Sequence, residues 1–293
     1  MEPRLRRHPG RACLGDRDGT RRLNRALRLW GGGTVRAIVL AAGYATRLRP
    51  LTDTVAKPLL PVGGRPIIDR LLDNLARVPG LEAVHVVTNA RFAPAFHAWA
   101  ASARRRSPVP VVVHDDGTTS DGDRLGAVGD VRFVLDAAAI DDDLLVVAGD
   151  NLFEFELSDL ARFAAERGGS ALAVYEHPDR AALSRYGIVG VGDADRVVSF
   201  VEKPDQPASN LVSTATYAFS RAHAQLVRSY LDEGHSPDQP GRFVFWLQER
   251  EPVYAFRFSG AWIDVGDVAQ LLLADNAVRR AEGLPERAAY ALD

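Results

Sequence analysis

From residue 35 onward the chain alternates between two hydrophobic patterns. Short continuous apolar runs at Val35–Ala41, Ala83–Thr88, Val109–His114 and Leu144–Ala148 read as strands buried on both faces. Between them lie stretches with apolar residues on one helical face. Pro66 opens the first, followed by Ile67, Ile68, Leu71, Leu72 and Leu75 at helical spacing. The same reasoning predicts helices over 93–103, 126–138 and 157–167. Strands alternating with helices imply a sheet covered by helices on both faces. The expected fold class is therefore α/β, Rossmann-like, with a mostly parallel central sheet.

The second half is less regular. Strands are expected over 171–176, 187–191, 197–202, 213–219 and 253–258, and helices over 221–231, 243–250 and 268–280. Few helical crossovers separate these strands, so they are expected to form a smaller antiparallel elaboration. No repeat, heptad or Gly/Ser-rich linker divides the body. Residues 35–284 are expected to form one domain, with a tail over 285–293.

The connection between the first strand and the first helix carries candidate chemistry. It runs from Ala42 to Arg65 without a period, and connections of that length are usually functional or disordered. This one is studded with Leu, Val and Pro, which is not a disordered composition. In a parallel α/β sheet ligands bind beyond the carboxyl ends of the strands, where this connection begins. Gly43 lets backbone N–H groups approach phosphate oxygens. Arg47 offers a planar fork and Lys57 a compact charge, both suited to a polyphosphate. The segment is neither a Gly-Lys-Ser/Thr phosphate loop nor a Gly-x-Gly-x-x-Gly turn.

Ala41-Ala42-Gly43-x-x-Thr46-Arg47-Leu48-x-Pro50-Leu51-Thr52, followed by Lys57-Pro58-Leu59-Leu60-Pro61-Val62, resembles the signature of the sugar-phosphate nucleotidyltransferases. That family includes glucose-1-phosphate thymidylyl- and uridylyltransferases and mannose-1-phosphate guanylyltransferases. The likeness runs from Val35 to Gly266. It implies attack of a sugar 1-phosphate oxygen on the α-phosphorus of a nucleoside triphosphate, with pyrophosphate leaving and Mg²⁺ as cofactor. It implies Arg47 and Lys57 as catalytic residues, and Ala42, Gly43, Thr46, Arg47 and Gly126 around the nucleotide. Asp150 and Asp264 fall where the family holds its metal. Tyr186, Gly187, Glu202 and Lys203 fall where it holds the acceptor. Many members have a second Gly where this chain has Ala45; a methyl there is tolerable if φ is negative.

Each residue also has an ordinary reading. Asp150 follows a buried run in Gly149-Asp150-Asn151, and Asp264 sits in Trp262-Ile263-Asp264-Val265-Gly266; either alone suits a turn or a cap. Glu202-Lys203-Pro204 by itself is a solvated strand end. Tyr186 before a strand is a common core position, and Gly187 would let a sugar approach the backbone. The base side is the weakest match. The family's usual Gln is absent from Asp115–Ala127, where Gly126-Ala127 and the hydroxyls of Thr118 or Thr119 are the candidates. Uracil, thymine, cytosine and guanine all stay open. The aspartates of that stretch lack the EF-hand spacing, so it reads as a polar loop.

Composition changes the picture in two places. Of 36 basic residues only two are lysines, Lys57 and Lys203, and both precede a proline in these segments. The net charge of −2 divides into an Arg-rich start, nine Arg against three acids over residues 1–34, and an acidic body. An acidic body argues against charge-driven nucleic-acid binding. Residues 1–34 read as a disordered extension, with the native start expected at Val35. The single Cys13 allows no internal disulfide, and no run approaches the ~18–20 apolar residues of a membrane helix, so a cytoplasmic protein is expected. The histidines show no metal spacing.

Three rival readings remain. One is cytidylyl transfer to a non-sugar phosphate. Another is a non-catalytic regulatory protein that binds nucleotide-sugars. The last is a glycosyltransferase, for which Asp121-Gly122-Asp123 has the metal-motif spacing but follows no buried strand. The expected partners are a nucleoside triphosphate and a sugar 1-phosphate, with neither nucleic acid nor membrane. Homo-oligomers are frequent in the family that the loop resembles.

Overall fold

A computed structural model describes residues 33–292. The expected N-terminal extension lies outside them except for its last two residues.

The chain begins with strand β1 (Val35–Leu40) and continues through the long connection, which contains the short pair β2 (Pro61–Val62) and β3 (Arg65–Pro66). Then follow α1 (Ile67–Leu75), β4 (Leu81–Thr88), α2 (Ala93–Ala103), β5 (Val111–Asp115), α3 (Ala127–Ala137) and β6 (Asp143–Ala148). Next come β7 (Asn151–Phe153), α4 (Leu157–Arg167), β8 (Ser170–Glu176), β9 (Gly187–Val191), β10 (Val197–Glu202) and β11 (Leu211–Phe219). The chain closes with α5 (Arg221–Asp232), α6 (Pro240–Gln248), β12 (Val253–Arg257), β13 (Trp262–Asp264) and α7 (Val268–Ala281).

Nine strands form one sheet with the path β10-β9-β11-β6-β1-β4-β5; β8 joins at β11 and carries β12. The half β6-β1-β4-β5 is parallel, and β11, β9 and β10 extend it antiparallel. The antiparallel elaboration is thus a continuation of the central sheet. Alternation along β1 sends Ala37 and Val39 into a core with α1, α2 and α4, and Ile38 into a core with α3, α5 and α6. Each side chain faces one of two helical layers, which is why the strand reads as apolar throughout. Helix α6 begins at Pro240, earlier than the apolar spacing over 243–250 predicts. Proline is well suited to the first helical turn, where its missing N–H costs nothing.

This arrangement makes a crevice. After β1 the chain returns on one side as β4 and later on the other as β6, so the carboxyl ends of β1 and β6 mark a topological switch point. Leu40 and Ala148 are partners at the ends of those strands. The long connection leaves one end and Gly149-Asp150 the other.

Candidate active site

The connection after β1 is held from beneath. Buried Asn89, just past β4, donates its amide to the Ala42 carbonyl at 2.8 Å. Buried Thr52 donates to the Ala45 carbonyl at 2.9 Å. Ala45 has φ +45, so the condition for an unstrained methyl is not met: the chain takes the left-handed turn with an alanine. Thr46 and Arg47 follow in one turn of 3₁₀ helix, and Gly43 and Thr46 are exposed. A Cβ on Gly43 would meet nothing within 4 Å, so the loop is open above it.

Lys57 and Asp150 meet across the crevice. The Lys57 ammonium, 9% exposed as a residue, lies 2.5 Å from Asp150 Oδ2. Gly149 permits this approach, because its N–H binds the Leu40 carbonyl and a Cβ would lie 3.0 Å from that oxygen. Asp264 arrives from far along the chain. Strand β13 pairs antiparallel with β7, and Asp264 is the partner of Asn151. Burial pushes the Asp264 carboxyl up, and the negative charge of Asp150 adds to it; Lys57, Arg47 and Arg185 act the other way. The sequence places Asp264 beside a turn, whereas it ends a strand that only long-range pairing creates.

The donor set fits Mg²⁺, which takes oxygen ligands and needs only one or two carboxylates beside phosphate oxygens and water. Asp264 is a half-buried carboxylate held near a second one, a costly arrangement that a divalent cation relieves. No group of three or more His, Cys, Asp and Glu is placed to hold a metal among the described residues.

One cleft gathers Asp150, Asp264, Tyr186, Gly187, Glu202 and Lys203. Lys203 stands at φ +45, a conformation that non-glycine residues rarely keep, and its N–H binds the Tyr186 carbonyl at 3.0 Å. Glu202 is the ladder partner of Gly187, and burial pushes its carboxyl up against the pull of Lys203 and Arg242. On its Cβ side Gly187 faces the Phe200 ring. A Cβ there would lie 2.6 Å from the Phe200 ring, and one on Gly241 would lie 2.0 Å from it. The two glycines make room for Phe200.

Gly126 lies outside the cleft. Its φ of +82 and its close approach to the Pro237 carbonyl, 2.6 Å from where a Cβ would stand, make it a structural glycine at the start of α3. The hydroxyl protons of Thr118 and Thr119 are spent inside their own loop, on Asp116 and Asp123. Asp123 also accepts the N–H groups of Thr119 and Ser120, so it shapes the loop.

Several cleft residues escape sequence reasoning. Arg185 is one: it joins the expected Arg47 at Gly266, where a Cβ would lie 3.4 and 3.8 Å from their guanidinium nitrogens. Buried Asn151 donates to the Thr214 carbonyl and accepts from Trp262 Nε1 at 3.3 Å, tying β7, β11 and β13 together. Asn151 stands next to a candidate ligand, but nothing in its residue type marks it.

The sequence model of the nucleotidyl transferase family matches residues 36–281. Over 242 residues the chain is 28% identical to a UTP–glucose-1-phosphate uridylyltransferase of Synechocystis, covering 80% of this chain and 61% of that protein. A glucose-1-phosphate adenylyltransferase of Clostridium novyi is 30% identical over 259 residues, covering 82% and 65%. The chain thus spans about three-fifths of the length of such relatives. A solved UDP-glucose pyrophosphorylase complexed with UDP-glucose shares the fold at TM-score 0.72 and 19% identity, covering 85% of this chain and 99% of that one.

Proposed function

The chain belongs to the nucleotidyl transferase family, and from that premise we propose that it joins a nucleoside triphosphate to a sugar 1-phosphate. The observation that carries the reading is the meeting of Lys57, Asp150 and Asp264 at the mouth of the cleft that holds Glu202 and Lys203. Triphosphate handling and acceptor handling then share one wall. A phosphate oxygen of the acceptor forms a bond to the α-phosphorus, the bond from that phosphorus to the pyrophosphate oxygen breaks, and the electron pair leaves with pyrophosphate. No proton need move, so catalysis is positioning and charge neutralisation.

Each residue then has a task. Arg47 and Lys57 bring positive charge to the triphosphate, and the loop from Ala42 to Thr46 offers its open backbone. Lys203 meets the acceptor phosphate, and Glu202 accepts from sugar hydroxyls. Tyr186 and Trp262, with ring centroids 5.3 Å apart, form an aromatic wall of the cleft. Asp150 and Asp264 would hold Mg²⁺. When bound, that ion neutralises phosphate charge and helps align the reacting groups.

The lone cysteine and the lack of any membrane-crossing helix among the described residues are compatible with work in the cytoplasm. The test is mass spectrometry of a reaction with NTP, sugar 1-phosphate and Mg²⁺. A product with the mass of a nucleoside monophosphate joined to the sugar phosphate supports the reading, and its absence with every pair sinks it.

A further inference from the structure

Two carboxyl groups, one in the loop over 115–127 and one in the helix that follows it, have no part in the proposed reaction. Asp116 follows β5, and Asp130 lies in the first turn of α3, 6% exposed. Asp116 Oδ1 accepts from the N–H and the hydroxyl of Thr118, both at 2.7 Å. Its other oxygen, Oδ2, is buried and meets no donor among the described residues; the same holds for Asp130 Oδ1. The two side chains are within hydrogen-bonding reach of each other. Ionising Asp130 beside the Asp116 carboxylate is costly, so the Asp130 carboxyl holds its proton to higher pH. Burial, with the charge of Asp116, pushes the Asp130 carboxyl up to about 7.

We propose that Asp130 keeps a proton that it donates to Asp116, and that this bond latches the loop over 115–127 against the phosphate loop. Asp130 is then a positioning residue. Its O–H donates to Asp116, and Asp116 fixes Thr118. The Thr118 carbonyl accepts from the Ala90 N–H at 3.0 Å, and its hydroxyl lies 3.5 Å from the Tyr44 hydroxyl. Tyr44 follows Gly43, so the latch joins the polar loop to the phosphate loop. Asp116 is the charged group that acts on Asp130 from the elements around it; further out, Asp123 and Arg91 act on Tyr44. Loss of the proton leaves two facing carboxylates, which repel and release the loop. The ligand in this inference rests on the nucleotidyltransferase reading; the proton does not.

Asp130→Asn supplies a donor to Asp116 at every pH. Two quantities are followed in wild type and variant from about pH 5 to pH 9: the melting temperature without ligand, and the KM for NTP separately from kcat. A raised carboxyl contributes stability below the ordinary Asp range that is lost as pH climbs through its folded value. Wild type is therefore expected to lose stability relative to Asp130→Asn up to about pH 7 and then run parallel to it. Its KM for NTP is expected to rise about tenfold relative to the variant above neutrality, the loss of one charge-assisted hydrogen bond, with kcat little changed. Asp116→Asn, which also supplies a donor, is expected to flatten both profiles. Parallel melting curves throughout would overturn the proton held by Asp130. Diverging melting curves with an unchanged KM ratio would overturn the latch. Absence of turnover with any NTP counts against the enzymatic reading, while the melting curves still decide the proton.

Discussion

Asp264 stands across the β7–β13 ladder from Asn151, which puts its half-buried carboxyl within the field of Asp150, the residue before Asn151. The fold therefore brings two acids together at one end of a crevice and balances them with Lys57, 2.5 Å from Asp150. Such an arrangement costs stability when empty. It makes sense as a site that a cation completes.

Asp264→Asn is expected to stabilise the metal-free protein at neutral pH. The folded carboxyl is raised by burial and by Asp150, so its contribution is full below the ordinary Asp range and is lost as pH rises through the raised value. The gain over wild type should grow with pH across that window. Mg²⁺ should raise the melting temperature of wild type and leave Asp264→Asn nearly unmoved. Equal Mg²⁺ shifts in both proteins would remove Asp264 from the metal site.

Lys57→Arg is expected to lower turnover at least ~10-fold while the fold persists. The compact ammonium fits a nearly closed site against Asp150, and a planar guanidinium does not. Lys203→Arg should behave likewise, since Lys203 lines the cleft from a φ of +45. Wild-type rates with normal circular dichroism in either variant would refute its assignment.

Gly241→Ala is expected to destabilise by about 1–3 kcal/mol in urea unfolding, because the new methyl would meet the Phe200 ring at 2.0 Å. Gly187→Ala should cost less, from a contact of 2.6 Å with the same ring. A Phe200→Leu background should relieve part of both costs, a coupling that a double-mutant cycle measures. Additive effects would mean that Phe200 is not the obstacle.

Ala45 holds a left-handed conformation at φ +45 with its carbonyl bound by Thr52. The strain of about 1 kcal/mol that Gly would remove is nearly offset by the backbone freedom that Gly loses on folding. Ala45→Gly should therefore be close to neutral, and Ala45→Val clearly destabilising because a β-branched residue fits φ > 0 poorly. Thermal melts that rank Val with Ala would contradict this.

The regular elements were legible because their patterns are strong. Continuous apolar runs at β1 and β6 and the one-sided spacing of α1 report burial directly. The loop from Ala42 to Val62 was legible through its motif. What sequence could not carry was distance across the chain. Strand β13 exists only through β7, and Asn151 and Trp262 gain their places from that pairing. Gly126 and Gly187 have neighbours that are equally hidden from the sequence. Both have a glycine's reason to be there, but the neighbours are Pro237 and Phe200, which no local pattern reveals.

The central claim is that this site couples a triphosphate to a phosphorylated acceptor. Pyrophosphate release, measured over a matrix of four NTPs and several sugar 1-phosphates, tests it most directly. The account predicts release with at least one pair, dependent on both substrates and on Mg²⁺, and lost in Asp150→Ala. Release that needs no sugar phosphate, or none with any pair, would contradict it.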